Sequence, residues 1–526
     1  MSYQAPVFLL LFFPLTLLCY QLTPQRHRWK TLLGASYLFF WSISGKLLLF
    51  LLLSTFSIHH FGLWLDSIRN DAEVQIRAAE KPERKALKEA RKHKMRGVLA
   101  FGILLQLGTL LCLKYANFFG ANVNLIFRGL GMAEVIPTFH WLLPIGISFY
   151  TMQAVSYLTD VYRGTVAADR SLGRLALYMS FFPQLMEGPI CRYSQTAEAL
   201  FAGNPIRYEA LTLGLQRMLY GLFKKVVIAD RLNVFVNTVF THHNEQKGLV
   251  ILLGMAAYTC QLYMDFSGIM DMVMGMGEIF GVKMPENFRR PFFSKSISEF
   301  WTRWHITLGA WFRDYIYYPL SLSGPLKKIT SACRKKLGNH FGPLVAGTLA
   351  LFCVWFCNGL WHGSAWSYLF FGMYHFFFIV LANLTEPFTR KVLDALHIQR
   401  DKGWYRIFRI LRTACIVCVG ELFFRANGLM AGLSMFRRMV TDFSLPSLEE
   451  LALGLDRYDV LILVVAVGLV GIISLLQEQG IPLRKKLSTA PTPLRWSVYY
   501  AAIMAVIIFG AYGVGYVPVE PMYAGF

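Results

Sequence analysis

The chain has 526 residues, 55% of them hydrophobic, 15% aromatic and only 16% charged, and its 52 Lys and Arg against 31 Asp and Glu give a formal charge of +21. The mean hydropathy is +0.43. Many runs hold the roughly 20 apolar residues that cross a hydrocarbon core of about 30 Å, which excludes a soluble enzyme, and the runs do not alternate, which excludes a β-barrel. The expected class is an all-α polytopic membrane protein, read as one integral domain over 1–526. Basic residues cluster between the apolar runs, as cytoplasmic loops require, so the partner that the charge implies is membrane lipid with anionic headgroups and no nucleic acid.

Met1 to Tyr20 is apolar but lacks the positive start and small-residue cleavage site of a signal peptide, and reads as a retained first helix. The basic loop Arg26 to Lys30 belongs in the cytoplasm, with the N-terminus outside. The run Thr31 to Leu65 is interrupted at Ser42, Ser44, Gly45 and Lys46. As one helix its roughly 35 residues would reach about 52 Å, too long for a single span, so two short or tilted helices are expected. That also returns Arg69 to Arg96, rich in alternating Glu, Lys and Arg, to the cytoplasm as a solvated or interfacial helix.

Further spans are expected at Val98 to Phe118, His140 to Tyr162, Leu211 to Phe240, Leu249 to Phe280, Leu344 to Leu360, Ser364 to Leu384, Trp404 to Phe424, Val460 to Leu476 and Trp496 to Val517. With the N-terminal helices this gives about 11–13 transmembrane helices. Leu175 to Tyr193 is too short and too broken by Pro183, Gly188 and Pro189 to cross. It is expected as a re-entrant or interfacial element against protein or water. Cys353 with Cys357 and Cys415 with Cys418 lie in apolar runs, where thiols pack as small hydrophobes, and no second pair makes a metal or redox site.

Two histidines sit in stretches that read as membrane-buried. His362 lies in Leu351 to Val380 and His305 in Glu299 to Leu320, an aromatic segment that also carries Arg303, Arg313 and Asp314. Away from water an imidazole is costly to charge, so the neutral ring that can accept a proton persists, and each is a candidate base. If Glu299 to Leu320 is one helix, Trp301, His305, Leu308 and Phe312 share a face. A hydrogen-bonded histidine that ties two segments together is the alternative role for His305. Asn358 precedes His362 by four residues, so its amide can reach the ring. Gly359 and Gly363 flank that turn and suit either a substrate or close helix packing.

Asp265, in QLYMDFSG, is a carboxylate in an apolar run and needs a cation, for which Arg289, Arg303 and Arg313 are the expected partners; a structural strut is its expected role. His375 and Glu421 are weaker candidates, without a companion at helical spacing. No serine elbow, phosphate loop, dinucleotide fingerprint or metal-spaced His/Cys set occurs, so base catalysis by histidine is the chemistry that remains. Asn358, Trp304, Asp265 and Arg313 complete the site as supporting or channel residues, with no metal.

The strings PIGISFYTMQAVSYLTDVYRG at Pro144 to Gly164, FFPQLMEGPICRY at Phe181 to Tyr193, QLYMDFSG, the Asn287-Phe288 to Pro291 turn, EFWTRWHITLGAWFRDYIYYPL and NGLWHGSAW at Asn358 to Trp366 occur in order. In these the chain resembles the membrane-bound O-acyltransferase family, in particular its bacterial branch that acetylates alginate or D-alanylates teichoic acid. The resemblance implies that His362 is the catalytic histidine and His305 the second functional one. It also implies a funnel-shaped helical bundle with a catalytic core over 140–380, in the inner membrane of a bacterium.

FFRA at Phe423 to Ala426 and the C-terminal Met522-Tyr523 to Phe526 are similar to the acetylating branch, whereas SLSGPLKKIT after Tyr318-Pro319-Leu320 and the ending PMYAGF depart from it. The resemblance then implies transfer of acetyl from a cytoplasmic donor, acetyl-CoA, with no tightly bound cofactor, to hydroxyls of an exported or cell-wall polysaccharide. An extracytoplasmic acetyltransferase- or esterase-like protein would be the partner that places the acyl group on the glycan. A D-alanyl transferase fed by a carrier protein keeps the fold and changes the donor. A proton-coupled transporter is the competing class, and it calls for inverted repeats that the sequence lacks.

Overall fold

The computed structural model describes residues 2–400, 402–512 and 515–519, which are helical and turn structure with no strand among them. The C-terminal strings noted above lie outside the described residues. Contacts divide the chain into two compact units, one drawing on residues up to 215 with 273–285 and the other on 216–272 with 286 onward. Among the described residues seven helical runs are long and apolar enough to cross a membrane: Gln25–Ala78, Lys81–Gly129, Gly248–Ile279, Gly324–His362, Trp366–Ala395, Arg457–Glu478 and Thr492–Phe509.

The first unit begins with α1 (Phe13–Leu22), α2 (Arg28–Ser44) and α3 (Leu48–Ala78). The break between α2 and α3 falls at Gly45, whose φ of +50° suits a residue without a side chain. It thus splits the long N-terminal run in two, as its length required. A short turn leads into α4 (Lys81–Gly129), a 49-residue helix, so the charged stretch forms the end of one helix and the start of the next. The expected span from His140 is helical only from Ile147 onward. The chain is irregular until α5 (Ile147–Arg163), because Pro137 and Pro144 disfavour helix before them.

After α5 come α6 (Leu172–Ser180), α7 (Phe182–Leu185) and α8 (Tyr193–Ala202). Every residue from Leu175 to Cys191 is buried, so the backbone freed by the two prolines is enclosed by protein. Tyr178 donates to the Cys191 carbonyl (2.8 Å) and Gln184 to the Tyr178 carbonyl (3.1 Å). Irregular backbone in an apolar protein survives through such internal bonds.

The second unit takes up the chain within α9 (Tyr208–Phe223), which runs through a π-helical segment at Lys224–Ala229 into α10 (Asp230–Thr241). There follow α11 (Gly248–Ile279), two short helices α12 (Ile297–Arg303) and α13 (Ile306–Phe312), a second π-helical segment at Arg313–Tyr317, and α14 (Tyr318–Ser321). The long helices α15 (Gly324–His362) and α16 (Trp366–Ala395) form an antiparallel pair, packed against α17 (Gly403–Arg425). The chain closes with α18 (Leu429–Thr441), α19 (Leu448–Ala452), α20 (Arg457–Glu478), α21 (Leu483–Ser488) and α22 (Thr492–Phe509).

Candidate active site

Glu299 to Leu320 is not one helix. α12 stops at Arg303, and His305 takes a left-handed conformation (φ 44°, ψ 50°) before α13 starts. The single-face arrangement of Trp301, His305, Leu308 and Phe312 is therefore corrected. The cause lies outside the segment, at Asn287. Its main-chain carbonyl accepts the Ile306 N–H (3.0 Å), and the Arg289 N–H donates to the Arg303 carbonyl (2.8 Å). These bonds staple 287–289 to 303–306 and reward a turn that costs a non-glycine residue about 1–2 kcal/mol.

The Asn287 side chain completes the staple. Its Oδ1 accepts from the Thr307 N–H (3.2 Å) and the Thr307 hydroxyl (2.9 Å), and stands 3.1 Å from His305 Nδ1. An atom that accepts a main-chain N–H is the oxygen, so His305 Nδ1 carries a hydrogen and the ring lone pair is on Nε2. Asn287 Nδ2 donates to Met270 Sδ (3.2 Å). Asn287 thus sets both the backbone and the tautomer of His305, a role that spacing within the helix could not reveal.

His362 is the last residue of α15, before an extended Gly363. Its ring meets Trp361 (4.9 Å between centroids), Phe424 (5.1 Å) and Phe371 (5.8 Å), each edge to face. Trp361 also stands 5.6 Å from the His305 ring, and Phe266 packs on that ring at 4.9 Å. Aromatic walls fix both imidazoles by shape.

His305 and His362 line one cavity of about 380 Å³, together with Asn358, Trp304 and Arg313. Trp301, Thr302, Tyr317 and Trp355 add to its wall. That volume lies within the range of small-molecule sites. Asn358 faces the same space, and its Oδ1 accepts no hydrogen bond among the described residues. Arg313 is exposed and pairs with Asp314 (3.0 Å) at the start of the second π-helical segment. Close packing explains Gly359: a Cβ there would lie 2.7 Å from the Tyr368 carbonyl oxygen on α16.

Asp265 stands apart from the cavity lining. Its cation is Lys225, at 2.7 Å, and none of the three expected arginines. Lys225 Nζ also meets Asp230 (2.9 Å) and donates to the Val519 carbonyl (2.7 Å). Beside it, Lys224 and Arg217 share Asp271, at 2.7 and 2.8 Å. Arg303 and Arg290 are taken by Glu478, at 3.0 and 2.6 Å. The π-helical segment turns two successive lysines into the interior, and the carboxylates of α10 and α11 answer them. The structural strut expected of Asp265 fits this arrangement.

His375 is fully buried behind the cavity wall, with its ring 4.8 Å from Trp301, 5.7 Å from Trp355 and 4.7 Å from Phe371. Its ring nitrogens have no hydrogen-bond partner among the described residues. It presses on α17 at Gly420, where a Cβ would lie 2.6 Å from its Nε2. Glu421, the next residue, is also buried.

Two buried imidazoles around a cavity in a multi-pass helical protein define a site suited to moving protons. The comparisons give the class of reaction. The model of MBOAT, the membrane-bound O-acyltransferase family, matches residues 168–332, a span that includes His305 and ends before His362. A probable alginate O-acetylase of Pseudomonas syringae pv. tomato is 33% identical over 456 residues, covering 86% of this chain and 78% of that protein. A peptidoglycan O-acetyltransferase of Helicobacter pylori is 30% identical over 370 residues, 65% of this chain and 64% of that one. A teichoic acid D-alanyltransferase of Bacillus subtilis is 29% identical over 356 residues, 63% and 86%. The chain belongs to the membrane-bound O-acyltransferase family. It is an acyltransferase and a multi-pass protein of the bacterial inner membrane.

Proposed function

We propose that the protein transfers an acetyl group from a cytoplasmic donor, acetyl-CoA, toward hydroxyls of an exported or cell-wall polysaccharide, with an extracytoplasmic partner protein completing delivery. The observation that carries this reading is that His305 and His362 line the same cavity. In it His362 is the base. Its ring takes the proton of the acceptor hydroxyl, the oxygen adds to the thioester carbonyl, and the C–S bond breaks to release the thiol, which receives the proton.

A positioned base of this kind contributes about 10²–10⁴ in rate. His305, with its lone pair on Nε2, is assigned the second polar role, holding a reacting group against the same wall. Neither role needs a metal.

The relatives support the acceptor class, since two are named for acetylation of exported or wall polymers. The test is His362→Ala in a strain whose glycan is acetylated. The variant is expected to accumulate in the membrane while glycan acetate is lost, and wild-type acetate would remove His362 from the mechanism. The Bacillus relative keeps D-alanyl transfer as a second reading. Purified protein given labelled acetyl-CoA or a labelled D-alanyl carrier protein separates the two donors.

A further inference from the structure

The junction of α3 and α4 carries an organised charge that acyl transfer does not use. On the tip side of Leu65 and Met95 neither helix has a buried residue. Both helices nevertheless continue for roughly 13 residues, so a two-helix stalk stands about 20 Å beyond the packed body of the first unit. Half-buried Ile68, Ala72 and Ile76 on α3 and Leu87 and Arg91 on α4 mark the seam. Arg91 reaches Glu73 across it at 3.8 Å.

Residues 81–96 hold eight Lys or Arg and two Glu. Lys81, Lys85, Lys88, Lys92 and Arg96 recur so that, at 100° per residue, they share an arc of about 80° beside the seam. All five are exposed, and none enters an ion pair among the described residues. The stripe is about 22 Å long.

Topology alone does not call for it. The positive-inside bias counts cations near the membrane and is indifferent to the helix face on which they sit. Headgroups extend only about 5–8 Å past the hydrocarbon, and the field of the surface decays within about 8 Å at physiological salt. With the stalk along the membrane normal, its tip lies beyond the reach of lipid. Residues 77–96 hold no Phe, Tyr or Trp on which a base could stack, and His93 is their one aromatic ring.

A row of cations this long fits an extended carboxylate-bearing surface. We propose that the α4 stripe is a docking surface for an acidic soluble protein on the cytoplasmic side. Association is then steered by charge, with an on-rate that falls as salt rises.

The test uses the full-length protein in cells, with the photo-crosslinking residue benzoylphenylalanine at Glu89, beside the stripe, or at Ala90, on the far side. Adducts are identified by mass spectrometry. The captured protein is then purified, and its binding is measured to wild type and to Lys85→Glu/Lys88→Glu/Lys92→Glu in neutral phosphatidylcholine nanodiscs. The expected result is an acidic protein captured at Glu89 and not at Ala90, bound at least about tenfold more weakly by the charge-reversed variant. Adducts to lipid alone, no protein adduct, equal capture at both positions, or binding indifferent to the charge reversal would each overturn the proposal.

Discussion

Asn287 Oδ1 stands 3.1 Å from Nδ1 of His305 while accepting two hydrogen bonds from Thr307. One amide thus fixes where a buried imidazole carries its hydrogen and also bends the backbone that presents it. Asn287→Leu removes the acceptor and leaves the Thr307 N–H without its bond, at a cost of about 1–3 kcal/mol. Acetyl transfer is expected to fall by roughly tenfold or more, since His305 can then adopt either tautomer. Glycan acetate per unit of membrane protein measures this. Undiminished transfer would show that the tautomer does not matter.

The left-handed backbone at His305 separates fold from chemistry. Asn visits that region readily and a β-branched residue does not. His305→Asn is expected to accumulate like wild type yet lose transfer, whereas His305→Val loses both. Comparing melting temperatures of the two solubilised variants decides it, and equal melting would contradict a left-handed turn at His305.

Lys225 holds Asp230 and Asp265 within 2.9 Å. Lys225→Met leaves two buried carboxylates without their cation, and breaking such a cluster costs about 3–5 kcal/mol. Membrane accumulation is expected to collapse, and adding Asp230→Asn and Asp265→Asn to restore part of it. If the triple variant is as poor as the single one, charge burial is not what Lys225 relieves.

Gly420→Ala sets a methyl group against His375 and pushes that ring toward Trp301 and Trp355, which line the cavity. Overpacking of this kind costs about 1–3 kcal/mol. Lower melting and reduced transfer are expected, and pairing Gly420→Ala with His375→Ala should recover stability. No recovery would place the strain elsewhere.

Hydropathy and helical length were enough to class the chain as all-helical and membrane-embedded, because about 20 consecutive apolar residues have few other uses. They also divided the N-terminal run around Ser42 to Lys46, and the break falls at Gly45, where the lack of a side chain permits a positive φ. His305 and His362 stood out for a related reason, as polar rings in apolar surroundings. The pattern could not show that the helix breaks at His305, because the bonds that break it come from Asn287, 18 residues earlier and outside the segment. Nor could it name Lys225 as the cation of Asp265. Lys224 and Lys225 fall within the expected span Leu211 to Phe240, and only the π-helical segment there turns both inward.

Local features are written along the chain: where apolar length compels a helix, where proline and glycine end one, and which few ionisable groups stand in apolar runs. Which of those groups meet depends on how the helices pack. His305 and His362 share a cavity while Asp265 is locked to Lys225. The physical reason is that a buried polar atom must find its partner through space, and helical periodicity carries no information about residues on other helices.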